Sequence, residues 1–354
     1  MLYKFLYSLK DFWFGFNIFK YVTVRATLAT FTSLLLSLLF GRKIINKLKK
    51  FCHPNILGEV NKEKIPTMGG FLILGSLLIS TLLWADIKNT YIILLIFLTI
   101  SLGFVGFMDD YTKLKYKSHK GVRPLFKIIG QIGVGFIIGI ILVYDSNLNF
   151  NTSLHIPFFK KIILPLGEYF VLFAVFIIVA TSNAVNLTDG MDGLAIGLTL
   201  IIALAYAIIS YVVSNVKFAT YLNVPFVKGA EEVTVFSGAL IGASLGFLWF
   251  NCHPAEIFMG DIGSLSLGGI IGLISIIVKQ ELSLIFVGGI FLVEALSVII
   301  QVISFKSRGK RIFLMTPIHH HFQLKGVAES KVVIRFWIIG IILALFTVIT
   351  LKIR

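Results

Sequence analysis

The chain has 354 residues, 57% of them hydrophobic and only 14% charged, with 33 Phe and a formal net charge of +15. No soluble globular protein of this size needs so much apolar surface, so the composition excludes a water-soluble enzyme, argues against a nucleic-acid binder, and leaves an integral membrane protein. The positive charge then belongs to loops that face anionic lipid and anionic substrate.

The first 20 residues carry Leu2, Phe5, Leu6, Leu9, Phe12, Trp13 and Phe16 at helical spacing, with Lys4, Lys10 and Asp11 between them. That pattern predicts an amphipathic helix lying in the interface rather than a cleavable signal peptide. Apolar runs of about 17–22 residues follow, each long enough to cross the hydrocarbon core as a helix. We read ten, at 21–41, 68–84, 90–108, 127–144, 168–185, 194–213, 233–250, 262–278, 283–304 and 333–351. The second is short, and Lys279–Glu281 blurs the boundary between the eighth and ninth. No low-complexity segment or internal repeat interrupts them. Residues 1–354 therefore read as a single all-α, polytopic transmembrane domain. Cys52 and Cys252 make no disulfide framework and fit no metal-ligand spacing, so they read as packing residues.

Twenty of the 32 Lys and Arg fall in the connections after the first, third and ninth spans. The positive-inside rule makes those connections cytoplasmic and both termini external. The stranded polar residues share that face. Asp109 and Asp110 end the third span, in GFVGFMDDYTKLKYK; Asn183, Asn186, Asp189 and Asp192 fill the link between the fifth and sixth, in NAVNLTDGMDGLA. Asn251, His253 and Asp261 lie between the seventh and eighth, in WFNCHPAEIFMGDIGS, and His319, His320 and His321 between the ninth and tenth. Lys64 precedes the second span, in KIPTMGG. Two of these links, the fifth-to-sixth and the seventh-to-eighth, contain carboxylates and no Lys or Arg, while the surrounding loops are basic.

Carboxylates ringed by lysines are what a divalent cation holding polyphosphate requires. Mg²⁺ takes oxygen ligands, usually one or two carboxylates with substrate phosphates and water, and Asp109, Asp110 and Asp261 supply the carboxylates. Lys113 and Lys127 can screen the phosphate charge left over. Asp261 starts a helix between Gly260 and Gly263, where free N–H groups favour an anion. Each motif alone has a plainer reading: a solvated helix end for Asp109–Asp110, a Gly-rich turn with Asx caps for NLTDGMDG, a topology signal for the lysines. Three adjacent histidines could mark zinc, although adjacent residues do not easily aim three imidazoles at one metal. Their coincidence on one face points to a cytoplasmic-face active site. A cation-coupled transporter, the rival from another class, would keep its carboxylates near the bilayer midplane on broken helices.

These motifs, KIPTMGG, GFMDDYTKLK, NAVNLTDGMDGLA, FNCHPAEIFMGDIGSLSLGG and TPIHHHFQLKG, run nearly end to end. Together they resemble the polyprenyl-phosphate N-acetylhexosamine-1-phosphate transferases, and the Pro-x-His-His-His-Phe context resembles the muramoyl-pentapeptide branch. The resemblance implies a Mg²⁺-dependent exchange at a bacterial plasma membrane. Undecaprenyl phosphate would attack the sugar-linked phosphate of UDP-N-acetylmuramoyl-pentapeptide, releasing UMP and forming lipid I; the alternative donor is UDP-N-acetylglucosamine. It implies Asp261 as principal Mg²⁺ ligand with Asp109 and Asp110 beside it, and Asp109 as the carboxylate that deprotonates or orients the attacking phosphate. Lys113 and Lys127 would bind phosphate. Asn183, Asn186, Asp189 and Asp192 would line the nucleotide and metal end, Lys64 and Phe258 would contact uridine, and Asn251 with His319, His320 and His321 would line the sugar-phosphate end. A homodimer is also implied. The resemblance leaves open whether transfer is direct or passes through a phospho-aspartyl enzyme.

Overall fold

A computed structural model describes residues 2–50, 65–116, 121–146, 148, 150–157 and 163–352. The chain opens with a short helix α1 (Leu2–Ser8) and 3-10 turns over Leu9–Asp11 and Phe14–Lys20, so the expected N-terminal helix is broken into pieces. Then come α2 (Val22–Lys49), α3 (Gly70–Trp84), α4 (Thr90–Lys115) and α5 (Pro124–Tyr144). A two-stranded antiparallel hairpin, β1 (Ser153–His155) with β2 (Ile163–Pro165), precedes α6 (Phe170–Thr188). The rest is α7 (Leu194–Val213), α8 (Val216–Leu222), α9 (Glu231–Asn251), α10 (Gly260–Ile277), α11 (Leu284–Val287), α12 (Gly289–Arg308), α13 (Ile318–Leu324) and α14 (Glu329–Thr350).

Nine of the ten expected spans are single helices; the ninth, 283–304, breaks at Gly288 into α11 and α12, where two adjacent glycines weaken the helix. Among the described residues nine helices are long and apolar enough to cross a membrane, and α3, with 15 residues, is the short tenth. At 1.5 Å per residue α3 reaches about 22 Å, less than a hydrocarbon core. The other differences lie at the ends. Hydrophobicity runs out at residue 108, yet α4 continues to Lys115, because Asp, Lys and Tyr are tolerated in a helix and two lysines suit its negative C-terminal pole. Pro124 starts α5 three residues earlier than expected, at the position where its missing N–H costs nothing.

Helices α9 and α10 form the interior of the bundle; 94% of the apolar window of α10 is buried. α10 packs on α4, α6, α3 and α7, and α9 on α2, α7 and α3. Small residues make these approaches close, as in other membrane bundles. A Cβ on Gly106 of α4 would run into the Asp261 and Ile262 backbone, and one on Gly268 of α10 into the backbone of Thr181 and Ser182. Up-and-down connection then places the C-terminal ends of α4, α6 and α9 beside the N-terminal ends of α5, α7 and α10. The stranded polar residues sit at those ends.

The opposite end of the bundle has its own charged contacts. Arg25 of α2 pairs with Glu232 of α9 at 2.7 Å, both side chains buried, and Glu232 also accepts the Asp86 N–H at 2.7 Å. Lys4 reaches Asp86 at 2.6 Å and Tyr3 lies against the Arg25 guanidinium, which ties the N-terminal segment to the bundle.

Candidate active site

Because α4 runs past residue 108, Asp109, Asp110 and Lys113 stand on one helix, and Lys113 reaches back one turn to Asp109 at 2.5 Å. The close α4–α10 approach at Gly106 brings Asp261 to them. Oxygen atoms of Asp109, Asp110 and Asp261 all lie within 4.8 Å of one another. Asp109 and Asp110 are buried, and the Asp261 side chain is 13% exposed. Three carboxylates so placed repel one another, and two ammonium groups bridge them. Lys113 lies 3.4 Å from Asp261 and 3.9 Å from Asp110, while Lys127 of α5 lies 2.5 Å from Asp261 and 3.6 Å from Asp109.

Backbone and amide donors complete the cluster. The Val122 N–H donates to Asp109 at 2.9 Å and the Ile262 N–H, at the start of α10, to Asp110 at 3.2 Å. Gly260 holds φ +72°, and a Cβ there would meet the Asp110 carboxylate at 2.5 Å. Asn186 of α6 donates to Asp261 at 3.0 Å and to the Ser264 hydroxyl at 2.8 Å. One turn deeper, Asn183 donates to Gln131 at 2.8 Å, and Gln131 donates to Ser182 at 3.2 Å. Asp189 follows the end of α6. Burial first, then the negative charges of Asp261 and Asp110, push its carboxyl up to about 8.

The remaining expected residues build the walls. Asp192 accepts from the Ala255 N–H at 3.1 Å and meets the His253 ring at 3.0 Å, and its own N–H donates to Glu329 at 3.0 Å. Asn251 accepts the Gly193 N–H at 3.1 Å and donates to the Ile257 carbonyl at 2.8 Å. The polar atoms of Asp192 and Asn251 thus brace the 189–193 turn against the 252–259 loop. Phe258 exchanges two backbone bonds with the segment before α3: its N–H donates to the Pro66 carbonyl and its carbonyl accepts the Gly69 N–H. Lys64 lies outside the described residues. The three histidines turn to three partners: His319 to Glu294 at 3.1 Å, His320 to Gln323 at 2.9 Å, and His321 to the Leu314 N–H at 3.1 Å. His319 and His320 both border Gly190, next to Asp189.

The residues suit a hard cation. Asp109, Asp110 and Asp261 present only oxygen donors, close together, and when all three are ionised they carry one more negative charge than the two lysines neutralise. Asp192, His253 and Glu329 form a second group near enough to share an ion, but their polar atoms are engaged in bracing the turn. The arrangement can bind anions through two ammonium groups and position phosphate between carboxylates and a helix N-terminus.

A family model described as glycosyl transferase family 4 matches residues 92–279, from α4 to the end of α10, which contain every member of the carboxylate–lysine cluster. Relatives called phospho-N-acetylmuramoyl-pentapeptide-transferase match along 100% of both chains, from Citrifermentans bemidjiense at 49% identity, Brachyspira hyodysenteriae at 47% and Pelagibacter ubique at 50%. The chain belongs to the phospho-N-acetylmuramoyl-pentapeptide transferase family. The family match ends before α13, so the three histidines enter the comparison only through the full-length relatives.

Several residues at the site of this transferase-family chain lie outside the set expected from the sequence. Ser264 lies three residues after Asp261 and Gln131 four after Lys127, so helical spacing puts each on the same face as a residue already singled out. Glu294 stood in plain view as a lone carboxylate inside an apolar span. Gln323 and Glu329 give no local signal, because their importance rests on partners far away in sequence.

Proposed function

We propose that the chain transfers phospho-N-acetylmuramoyl-pentapeptide from its UDP donor to undecaprenyl phosphate, releasing UMP and forming lipid I on the cytoplasmic face of a bacterial plasma membrane. The observation that carries this reading is the cluster of Asp109, Asp110 and Asp261 bridged by Lys113 and Lys127 at one mouth of the bundle. Phosphoryl transfer asks for positioning and charge stabilisation more than for covalent chemistry, and this cluster supplies both. The basic connections at the same end support its cytoplasmic orientation.

In the reaction an oxygen of undecaprenyl phosphate forms a bond to the sugar-linked phosphorus of the donor. The bond from that phosphorus to the bridging oxygen breaks, and the pair of electrons leaves with UMP. One diphosphate linkage replaces another, so the equilibrium lies near unity. Asp109 orients the acceptor phosphate, with Asp110 beside it and held by the α10 N-terminus. Lys113 and Lys127 neutralise the phosphates of both substrates. Asn183, Asn186, Asp189 and Asp192 form the nucleotide end, with Asn183 and Asp192 holding their neighbours in place. Lys64 and Phe258 take the uridine, and Asn251 with His319, His320 and His321 take the sugar-phosphate end. Asp261, with Asp109 and Asp110, holds Mg²⁺, which when bound neutralises diphosphate charge as a Lewis acid. A homodimer is part of the same reading, and native mass spectrometry of the purified protein checks it.

The deciding experiment is UMP release by the purified protein in detergent with undecaprenyl phosphate and Mg²⁺. UDP-N-acetylmuramoyl-pentapeptide and UDP-N-acetylglucosamine are offered separately. Turnover of the first alone is expected. Turnover of the second alone would keep the metal and the chemistry but move the enzyme to another pathway.

A further inference from the structure

Glu294 lies in the second turn of α12, surrounded in sequence by IFLV and ALSV, and its side chain is 0% exposed. A carboxylate so buried is costly unless paired. Its partner is His319 of α13, also 0% exposed, whose Nδ1 lies 3.1 Å from the carboxylate oxygen Oε2. Neither residue is satisfied by that one bond. Among the described residues, Glu294 Oε1 and His319 Nε2 are buried without a hydrogen-bond partner.

The direction of the free ring nitrogen is informative. His319 Nε2 faces Gly190, so closely that a Cβ on Gly190 would overlap it and would sit 3.0 Å from Cε1 and 3.4 Å from the His320 Nε2. Gly190 follows Asp189, whose carboxyl feels the charges of Asp261 and Asp110. A carboxylate that accepts the Nδ1 proton fixes both the tautomer and the angle of an imidazole, and leaves Nε2 to act on something else. A bond needed only to tie α13 to α12 could be replaced by two apolar side chains, with no buried titratable pair.

We propose that Glu294 is a positioning residue for the transfer reaction: it holds His319 so that Nε2 is presented across Gly190 to an oxygen of the donor's sugar-phosphate. This rests on the transferase reading above and adds a residue outside the motifs that carried it. Glu294 acts through His319 and does not itself touch substrate.

The test is a double-mutant cycle on the purified full-length protein. Wild type, Glu294→Gln, His319→Ala and the double variant are compared for kcat and for KM of each substrate, with thermal unfolding alongside. Glu294→Gln keeps the shape and an acceptor oxygen, so it should fold. It should lower kcat/KM for the UDP donor by about 10- to 100-fold, the range for partners that orient a working imidazole, and leave the KM for undecaprenyl phosphate unchanged. In the His319→Ala background the same change should have no further effect. Losses that multiply in the double variant, or that follow thermal stability equally for both substrates, would overturn the assignment. Gly190→Ala approaches the ring from the other side without touching Glu294. It should reproduce the donor-selective loss, and wild-type kinetics there would count against the proposal even if the Glu294 variants fail to fold. If wild type turns over only UDP-N-acetylglucosamine, the donor assignment falls, and the same cycle run on that donor still decides the role of Glu294.

Discussion

Asp261→Asn is the sharpest perturbation of the carboxylate cluster. With all groups ionised, three carboxylates face two ammonium groups, and the substitution removes the excess negative charge while keeping the side-chain shape. Asp261 now pairs with Lys127 at 2.5 Å and Lys113 at 3.4 Å, and it accepts from Asn186 at 3.0 Å. Hydrogen bonds to charged groups are worth about 1.5–3 kcal/mol each. Neither lysine is orphaned, because Asp109 remains 2.5 Å from Lys113 and 3.6 Å from Lys127. The folding cost should therefore stay near about 1–3 kcal/mol. Catalysis should lose more. Removing one preorganised charge stabiliser typically costs about 2.7–4 kcal/mol, or about 100- to 1,000-fold in kcat. The assay is UMP release at saturating substrates, paired with a melting curve in the same detergent. Turnover within about threefold of wild type in a folded protein would refute the reasoning, since no lost transition-state interaction would then be visible.

Three further perturbations separate local from global effects. Gly260→Ala forces a side chain into φ +72° and against the Asp110 carboxylate; the backbone alone costs about 1–2 kcal/mol, and kcat should fall by more than stability does, which kinetics and melting together decide. Asp189 has its carboxyl raised to about 8, so the stability it contributes is present in full below its unfolded value and is lost as pH rises through about 8. A divalent cation held by Asp109, Asp110 and Asp261 would offset the negative charge that helps keep Asp189 protonated and release its proton, so the rise in melting temperature produced by Mg²⁺ should grow from about pH 6 to 8.5, and Asp189→Asn should flatten that slope. At the far end of the bundle Glu232→Gln strands the buried Arg25; breaking such a pair costs about 3–5 kcal/mol. Melting should drop accordingly while kcat of the protein that remains folded is unchanged, and a selective loss of kcat would disprove the separation.

Much of this architecture was legible because the bilayer imposes a length on each span: nine of the ten apolar runs became single helices, and the ninth divided at Gly288. Where helices end was less legible. Apolarity stops at residue 108, but nothing at Asp109 or Asp110 breaks a helix, and the added turn through Lys115 is what places Lys113 beside Asp109. The β1–β2 hairpin escaped notice because three-residue strands carry too few alternations to read. Parity put the polar residues on one end of the bundle, yet it could not say which would meet. Asp189 and Asp192 looked equivalent in NLTDGMDG, but the first feels the charges of Asp261 and Asp110 while the second is engaged by His253, the Ala255 N–H and Glu329. The run of three histidines looked like one unit. Successive helical residues point about 100° apart, so the three rings reach Glu294, Gln323 and the Leu314 backbone instead.

The charges at the site also conflict with their own helices. Lys127 sits in the opening residues of α5, where the unsatisfied N–H groups make an ammonium unfavourable, and Asp109 and Asp110 lie toward the C-terminal half of α4, away from the pole that favours an acid. Asp261, in the first turn of α10, and Lys113, in the last turn of α4, are the members of the cluster whose helix ends favour them. Swapping acid and lysine between α4 and α5 would suit both dipoles, by about 0.3–1 kcal/mol for each charge. Stability alone would therefore not select this arrangement. A local preference overridden at several positions at once is where a fold yields to function. Here the overriding requirement is plain: carboxylates from α4 and α10 must converge while lysines from α4 and α5 hold them together and remain available to phosphate. The cluster lies at helix ends because the reaction passes a phospho-sugar from a water-soluble nucleotide donor to a membrane lipid, and only the mouth of the bundle is reached by both.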